Sequence, residues 1–474
     1  MNPLHSRRWI IGSQASFSSR RPRLALLSLG CKLNQAEGDA MRHRCAGAGY
    51  DLVSFEEEAD VYVVNTCTVT SGADREGRRL ARAARRRAPR GRVVLAGCSV
   101  QAGRERMRIP EADLLLGNAE KMRLDEHLSL PLAGGEGGLP EVRAGAPEEA
   151  PLLDASFVPA FRERTRGFLK VQDGCDFSCT FCATTLARGR SRSLPPEACA
   201  EQAGRLAGAG HRELVLTGVH LGAYGRDLTP PSTLSRLAER LLRVEAVARL
   251  RLSSIEPGEL TRELIRAAGR NAPGAAPGAC LCRHFHIPVQ SGDDGVLAAM
   301  GRNYRAGACA RRFRLLADAV PGACLGADFI AGFPGESAQA FERTLEWVRE
   351  APLAYLHVFP YSAREGTRAA SLEGRLPPDE LRRRVRALQE LGRRKWAAFA
   401  AGQAGSRAEV LVERARRPDG LLTGLADNYL RVALEGPDAW RGRIVPVRLE
   451  PLPAGREPRG RAARAECLWG VPLT

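Results

Sequence analysis

The stretch Gly174-Cys175-Asp176-Phe177-Ser178-Cys179-Thr180-Phe181-Cys182 places three cysteines close together, directly after the apolar run Phe168–Val171. That run predicts a buried strand, and a loop leaving a strand end can turn all three sulfurs toward one metal centre. A cubane iron–sulfur cluster usually takes four cysteines, so three leave one iron open to a substrate or cofactor. The alternatives are a zinc knuckle with a distant fourth ligand and plain buried thiols. Zinc ligands usually come as C-x2-4-C pairs, which favours the cluster.

The cysteine motif lies near the start of a long alternation of apolar runs and helical segments. The strand-like runs are Phe168–Val171, Glu213–Thr217, Arg249–Ser253, His284–Val289, Gly326–Ile330 and Tyr355–Phe359. About six β/α units within residues 161–400 predict a full or partial barrel.

Shorter regions flank this predicted barrel domain. Over residues 23–132, four buried runs with helical stretches between them predict a parallel α/β sheet: Leu24–Leu29, Val61–Val64, Val93–Ala96 and Leu114–Leu116. Residues 133–160 have the Gly, Pro and Glu content of a linker. Residues 1–22 resemble a disordered or transit-like extension. Over residues 401–474, short strands predict a small all-β barrel: Ala408–Glu413, Gly420–Leu425, Tyr429–Ala433 and Ile444–Leu449.

Three further cysteines, Cys31, Cys67 and Cys98, each follow a predicted strand of the N-terminal sheet. The carboxyl ends of parallel strands line one crevice, so these thiols could converge on one site despite their separation in sequence. Isolated buried thiols are the alternative, since cysteine is often buried. The threefold recurrence of the same local position favours a site.

The remaining cysteines indicate no metal site. Cys280, Cys282, His284 and His286 alternate along one predicted strand, where such residues lie roughly 6–7 Å apart and cannot all reach one ion. They indicate an inward barrel face instead. We interpret the others as packing or surface residues: Cys45, Cys199, Cys309, Cys324 and Cys467.

The composition limits the class of protein and favours a polyanionic partner. With 44% hydrophobic residues and no apolar run near the roughly 18–20 residues that cross a bilayer, the chain is not an integral membrane protein. Thirteen cysteines, an odd number, fit a reducing compartment. The formal net charge is +17, and Asp74–Arg92 contains nine Arg against two acidic residues. That segment is either a solvated helix face or a phosphate-contacting surface.

Several blocks resemble the radical S-adenosylmethionine (SAM) enzymes, and specifically their methylthiotransferase branch. In chain order they are Gln172–Cys182, Ala187–Ser193, His284–Gly292, Asp328–Glu336 and Phe359–Thr367. One departure is Ala183-Thr184-Thr185-Leu186, which stands where the family often has an Ile-Pro-Tyr-like stretch. That departure leaves the cysteines themselves unchanged.

The resemblance implies two [4Fe–4S] clusters and SAM as cofactors. One cluster would be held by Cys175, Cys179 and Cys182, with SAM on its open iron. The auxiliary cluster would be held by Cys31, Cys67 and Cys98, within the family-like motifs Gly30–Gln35 and Asn65–Thr70. Because barrel enzymes bind ligands at the carboxyl ends of their strands, we expect SAM contacts at five positions: Thr217, Gly218, Ser254, Glu256 and Gln290.

The resemblance also implies an activity and partners. The C-terminal module, with Glu413, Gly424, Asn428, Tyr429 and Val432, resembles the RNA-binding TRAM domain. We expect a cytoplasmic tRNA methylthiotransferase acting at C2 of N6-threonylcarbamoyladenosine beside the anticodon. It would be a monomer or weak dimer, with a reducing electron-donor protein and no membrane partner. The alternatives are the isopentenyladenosine-specific branch, a RimO-like enzyme acting on a ribosomal-protein aspartate, and a non-catalytic iron–sulfur RNA-binding protein.

Overall fold

A computed structural model describes residues 20–132, 138–149, 164–268, 279–453 and 468–473. Most of the predicted extension 1–22, parts of the predicted linker 133–160, and Cys467 therefore lie outside the described residues.

The N-terminal region is a six-stranded parallel sheet. Its strands are β1 (Arg23–Ser28), β2 (Asp51–Val53), β3 (Val61–Thr66), β4 (Arg92–Gly97), β5 (Leu114–Leu116) and β6 (Glu141–Arg143), in the spatial order β2-β1-β3-β4-β5-β6. Four helices connect them: α1 (Lys32–Gly47), α2 (Ser71–Arg87), α3 (Cys98–Met107) and α4 (Leu124–Ser129). Every residue of β3 is buried, because apolar clusters cover both faces of the sheet. The predicted parallel α/β fold is confirmed.

Strand β6 corrects the interpretation of residues 133–160 as linker. Glu141–Arg143 pairs in parallel with β5, and Val142 packs against one of the two apolar clusters. A strand of three residues with a single apolar side chain is too short to show a period-2 pattern, so only the pairing with β5 reveals it.

The central region begins with β7 (Gly167–Lys170) and a small antiparallel pair, β8 (Gln172–Asp173) and β9 (Arg192–Ser193). The following strands are β10 (Glu213–Thr217), β11 (Arg249–Leu252), β12 (Cys280–Leu281), β13 (His284–Gln290), β14 (Cys324–Ala331) and β15 (Tyr355–Pro360). The helices are α5 (Thr184–Arg188), α6 (Pro196–Gly208), α7 (Leu234–Leu242), α8 (Arg262–Arg266), α9 (Asp294–Ala299), α10 (Ala306–Ala319), α11 (Ala338–Glu350) and α12 (Pro378–Ala401).

These strands form a partial barrel. Two parallel sheets, β12-β11-β10-β7 and β13-β14-β15, are joined by a parallel bridge between Ser254 and His286. No ladder joins β7 to β15 in the part of the chain that the structure describes, so the barrel is open on that side. Helix α1 of the N-terminal region packs against β7 at this opening.

The inner face of the barrel encloses a space that we call the lumen. Alternate residues such as Leu214, Leu250 and Phe285 belong to the large apolar cluster under the outer helices. Since side chains alternate along a strand, Glu213, Arg251 and their equivalents on the other strands face the lumen.

The C-terminal region is a closed five-stranded barrel, which confirms the predicted all-β module. Its strands are β16 (Arg407–Val412), β17 (Leu422–Ala426), β18 (Arg431–Leu434), β19 (Ile444–Glu450) and β20 (Leu468–Pro472), in the order β16-β17-β18-β20-β19. Trp396, Phe399 and Ala400 of α12 pack against its core.

Buried charges attach this small barrel to the central one. Glu213 accepts hydrogen bonds from Arg249 and Arg251, each at 2.7 Å. The same two guanidinium groups donate to the carbonyl oxygens of Leu425 (2.7 Å) and Ala426 (3.0 Å).

Among the described residues, no helix combines the length and apolar character needed to cross a bilayer.

Candidate metal centres

The three clustered cysteines lie on the loop that follows β8. Gly174 begins this loop at φ +72°, and a Cβ there would lie 1.8 Å from the carbonyl oxygen of Arg190, so glycine is required. Each thiol accepts at least one N–H hydrogen bond: Cys175 from Phe177 N (3.4 Å), Cys179 from Arg302 Nη1 (3.1 Å) and Cys182 from Thr184 N (3.4 Å). Such donors stabilise thiolates, so this donor set fits an iron–sulfur cluster.

Distant segments hold the cysteine loop in place. Thr180 N donates to the carbonyl oxygen of Met300 at 2.9 Å, and Ala369 N donates to the carbonyl oxygen of Thr180 at 2.8 Å. The guanidinium group of Arg368 also donates to the carbonyl oxygen of Ser178. The loop is therefore fixed by residues from the second half of the barrel.

His220 and Glu259 extend the surroundings of Cys175. His220 Nδ1 lies 3.7 Å from Cys175 Sγ, and its Nε2 lies 2.8 Å from Glu259 Oε1. Burial alone would lower the pKa of His220, but its contacts with Cys175 and Glu259 raise it to about 9. The sequence analysis missed both residues, since neither belongs to a recognisable local motif.

The five residues expected to contact SAM lie along the edge of the barrel that carries the cysteine loop. Thr217 and Gly218 end β10, and a Cβ on Gly218 would lie 2.8 Å from Gln172 Oε1. Gln290 ends β13 at φ +73°, a strained backbone conformation for a residue other than glycine, of a kind that clusters at ligand sites. Ser254 is exposed beyond β11.

Glu256 is linked to the cysteine loop through Arg302. Its carboxylate accepts a hydrogen bond from Arg302 Nη2, while Nη1 of the same guanidinium group donates to Cys179 Sγ. Burial raises the pKa of Glu256. Glu256 was predicted from the sequence, but Arg302 was not, because it follows α9 and reaches the site only through the packing of the barrel.

The other three cysteines occupy the carboxyl ends of three adjacent strands. Cys31 precedes α1, Cys67 follows β3, and Cys98 begins α3 after β4. Gly30, at φ +84°, packs so closely that a Cβ there would lie 2.4 Å from Cys67 Sγ. Burial raises the pKa of Cys67 to about 12, and the neighbouring thiols of Cys31 and Cys98 add to the rise. The structure therefore brings these three thiols together, and we call them the auxiliary trio.

Two asparagines organise the loops of the auxiliary trio. Asn34 Nδ2 donates to the carbonyl oxygens of Leu29 (2.8 Å) and Thr66 (3.1 Å). Asn65 Nδ2 donates to the carbonyl oxygen of Asn34 at 2.8 Å, and Lys121 Nζ donates to the side-chain oxygens of both asparagines. Both belong to the motifs quoted from the sequence, and their role is to hold the cysteine-bearing loops against each other.

Arg364 connects the partial barrel to the Cys67 segment. Its Nη2 donates to Thr68 Oγ1 at 2.5 Å and to Asp74 Oδ2 at 2.7 Å, and only 4% of its side chain is exposed. Ser99 Oγ lies 2.7 Å from both the carbonyl oxygen of Cys67 and Asp74 Oδ1. A residue of the central region therefore supports the loop that carries one auxiliary cysteine.

A short path joins the auxiliary trio to the clustered cysteines. Cys98 Sγ lies 3.7 Å from Asn118 Nδ2, which donates to the carbonyl oxygen of Ala187 at 2.6 Å. Ala187 lies on α5, which begins just after Cys182. The two sets of thiols are therefore neighbours across the contact between the N-terminal and central regions.

A buried ion network strengthens the same contact. Arg188 donates to both carboxylate oxygens of Glu37, at 2.8 and 2.9 Å, and to Asp173 Oδ1 at 3.0 Å. Lys121 and Lys170 also pair with Glu37, at 2.7 and 2.6 Å. Although burial opposes it, these cations hold the pKa of Glu37 well below its ordinary value. The network fixes α1, and with it Cys31, against the central region.

Histidines line the lumen below the cysteine loop. His284 Nε2 and His286 Nδ1 each lie 2.9 Å from the hydroxyl of Tyr355. Asp328 Oδ1 lies 2.8 Å from His286 Nε2 and 3.3 Å from His357 Nδ1. His284 and His286 thus share the lumen face. Asp328 already has two imidazole partners.

Comparisons with known proteins agree with this geometry. Residues 23–117 match the uncharacterized protein family UPF0004, and residues 169–348 match the radical SAM superfamily. The chain is 36% identical to the threonylcarbamoyladenosine tRNA methylthiotransferase MtaB of Bacillus subtilis, over 90% of this chain and 93% of that protein. It is 35% identical to the MtaB protein of Aquifex aeolicus, over 87% and 97% of the two chains.

Among solved structures, the radical SAM methyltransferase TsrM of Kitasatospora setae is similar in fold. The TM-score is 0.50 with 14% sequence identity, over 74% of this chain and 77% of that one.

Proposed function

Because the chain belongs to the radical SAM methylthiotransferase family, we propose that it replaces the C2 hydrogen of N6-threonylcarbamoyladenosine in tRNA by a methylthio group. The observation that carries this proposal is the pair of three-cysteine sites, linked within a few residues through Asn118 and α5. A reaction that both removes a hydrogen atom and inserts sulfur needs two adjacent centres.

The two sites have separate tasks. Cys175, Cys179 and Cys182 hold the [4Fe–4S] cluster that binds SAM, and the auxiliary trio holds the second [4Fe–4S] cluster. When bound, the first cluster with SAM supplies the radical that removes the hydrogen, and the second supplies the sulfur. Hydrogen bonds from Phe177 N, Arg302 Nη1 and Thr184 N fix the positions of the three sulfurs that ligate this cluster.

SAM is held by the residues at the carboxyl ends of the barrel strands, namely Thr217, Gly218, Ser254, Glu256 and Gln290. Arg302 positions Glu256 and Cys179 together, because one guanidinium group bonds to both. A larger residue at position 218 would displace Gln172, because a Cβ on Gly218 would lie 2.8 Å from Gln172 Oε1.

The tRNA backbone contacts the exposed face of α2, which begins shortly after Cys67. Several arginines there are paired, as Arg79 is with Glu76 (2.6 Å) and Arg85 with Asp113 (2.6 Å). Arg75 and Arg86 on α2, and Arg90 just after it, are exposed and have no ion pair or side-chain hydrogen bond among the described residues. Free guanidinium groups suit phosphate contacts. The C-terminal barrel adds a second RNA-binding surface.

The enzyme acts in the cytoplasm, as a monomer or weak dimer, and receives electrons from a reducing donor protein. Residues 23–132 carry the sulfur-delivering site, residues 161–400 the radical-generating site, and residues 401–474 the RNA-binding module.

Mass spectrometry of tRNA nucleosides from cells with and without the gene tests the substrate. We expect the methylthio derivative of N6-threonylcarbamoyladenosine to vanish in the deletion strain. Its persistence, with loss of the isopentenyl counterpart or of the ribosomal-protein modification, would assign the enzyme to another branch. Anaerobic reconstitution with SAM and dithionite tests catalysis, and absence of 5′-deoxyadenosine would indicate a non-catalytic RNA-binding protein.

A further inference from the structure

The lumen beside the auxiliary trio contains more cationic than anionic side chains. Four basic residues, Lys32, Arg166, Arg249 and Arg251, lie near the carboxylate of Glu213. Arg249 and Arg251 donate hydrogen bonds to Glu213 and to backbone carbonyl oxygens of the C-terminal barrel. Arg166 reaches Glu213 only at 3.8 Å, and Lys32 has no ion pair among the described residues, whereas buried charges are normally paired.

Lys32 is half-buried and follows the auxiliary cysteine Cys31 directly. It lies within electrostatic reach of Arg166, Arg251 and Glu213, and its charge also acts on His284 across the lumen. Within the described residues, Lys32 forms no ion pair and donates no side-chain hydrogen bond. Its ammonium group is therefore available to a ligand in the lumen.

Arg166 and His284 present buried nitrogens without partners to the same region. Arg166 Nη1 lies 3.8 Å from Glu213 Oε1 but donates no hydrogen bond to any described residue. His284 is 2% exposed, and its Nδ1 likewise has no hydrogen-bond partner among them. Buried polar atoms are rarely left unsatisfied, so these atoms indicate a missing polar ligand.

We propose that Lys32 and Arg166 form an anion-binding subsite that holds the α-carboxylate of the amino-acid arm on the substrate adenine. This inference rests on the proposed function. A threonylcarbamoyl arm carries one carboxylate and one hydroxyl. The carboxylate pairs with the two cations, and the hydroxyl, which both donates and accepts, pairs with His284 Nδ1. Because Lys32 adjoins Cys31, an arm anchored there places the adenine beside the auxiliary trio.

The subsite predicts discrimination against an apolar arm. An isopentenyl group would leave Lys32 and Arg166 without partners in a partly desolvated lumen. Sites built to pair polar groups reject analogues that lack them more strongly than apolar pockets reject small size differences. The subsite therefore selects the charged substrate.

The test compares two anticodon stem-loop RNAs with the anaerobically reconstituted full-length enzyme. One RNA carries N6-threonylcarbamoyladenosine, and in the other the threonyl carboxylate is a carboxamide. Dissociation constants are measured without SAM, and kcat/KM for methylthio transfer is measured with SAM. We expect the wild-type enzyme to prefer the carboxylate RNA about 10- to 100-fold, the usual effect of a lost hydrogen bond to a charged group.

Single substitutions test which residues cause the preference for the carboxylate RNA. Lys32→Gln and Arg166→Gln should each lose about tenfold or more on the carboxylate RNA and little on the carboxamide RNA, while Lys32→Arg should keep the preference. Arg236→Gln, at an exposed position on α7, is the matched control and should behave as wild type. Iron content and 5′-deoxyadenosine formation verify that each variant is folded.

Two results would overturn the subsite: equal kcat/KM of the wild-type enzyme on both RNAs, or equal losses of the variants on both RNAs. If the wild-type enzyme modified neither RNA, the proposed function itself would be wrong, which is a distinguishable failure.

Discussion

Arg364 provides a stringent test of how the partial barrel supports the auxiliary trio. Replacing it by Met keeps an unbranched apolar side chain but removes the hydrogen bonds to Thr68 (2.5 Å) and Asp74 (2.7 Å). Breaking a buried charge pair typically costs about 3–5 kcal/mol, because the remaining charge is left unpaired. Arg106 Nε remains 3.7 Å from Asp74, so we expect the lower value, about 3 kcal/mol.

A loss of about 3 kcal/mol of stabilisation should increase local unfolding of the segment that follows Cys67. About 3 kcal/mol corresponds to a local opening equilibrium raised roughly 150-fold, which hydrogen exchange of residues 67–74 measures. Because Arg364 supports the auxiliary trio and not the clustered cysteines, methylthio transfer should fall much more than SAM cleavage. The matched control is Arg382→Met, since Arg382 is exposed and, among the described residues, pairs only with Asp379 on its own helix. Unchanged exchange in this segment, or equal loss of both activities, would refute the reasoning.

Three further outcomes are expected. Cys67→Ala should leave SAM cleavage measurable while abolishing methylthio transfer, with iron falling from about eight to about four per chain; equal loss of both activities would contradict separate tasks. Burial tends to raise the pKa of Glu213, but Arg251 and Arg249 hold it far below its ordinary value. The stabilisation from this carboxylate is therefore full above about pH 4.3 and is lost as the pH falls further. Glu213→Gln should therefore be less stable at neutral pH and lose less of its unfolding free energy on acidification, as denaturant titrations would reveal. A double-mutant cycle of Arg283→Met with Asp427→Asn, a bidentate pair at 2.7 and 3.1 Å, should give a coupling energy of about 1–2 kcal/mol; a value near zero would indicate that the pair does not hold the C-terminal barrel.

The sequence analysis was most successful where function depends on local order along the chain. Cys31, Cys67 and Cys98 each follow a strand, and adjacent parallel strands bring their carboxyl ends to one edge, so their approach could be predicted without coordinates. The alternation of apolar runs with helical stretches predicted the parallel sheet and the partial barrel in the same way, because parallel strands buried on both faces appear as continuous apolar runs. The short edge strand β6 was not predicted, because three residues with one apolar side chain show no hydrophobic pattern.

Residues that act at a distance were not predictable in this way. Arg302 reaches Cys179, and Arg364 reaches Asp74, over more than a hundred positions of sequence. Arginine is the commonest charged residue in this chain, so composition does not distinguish the few that bond to buried partners. Lys32 belonged to a quoted motif, but its exposure to the lumen depends on how α1 packs against β7.

The grouping of six cysteines into two sets of three, and the elements that present them, could thus be predicted from the order of residues along the chain, because strand ends and loops are local properties. The tertiary structure alone decided which charges meet across the three regions. An unpaired buried charge is costly because it is desolvated, so each buried charge needs a partner. Which residue becomes that partner depends on how distant segments pack together in the folded molecule.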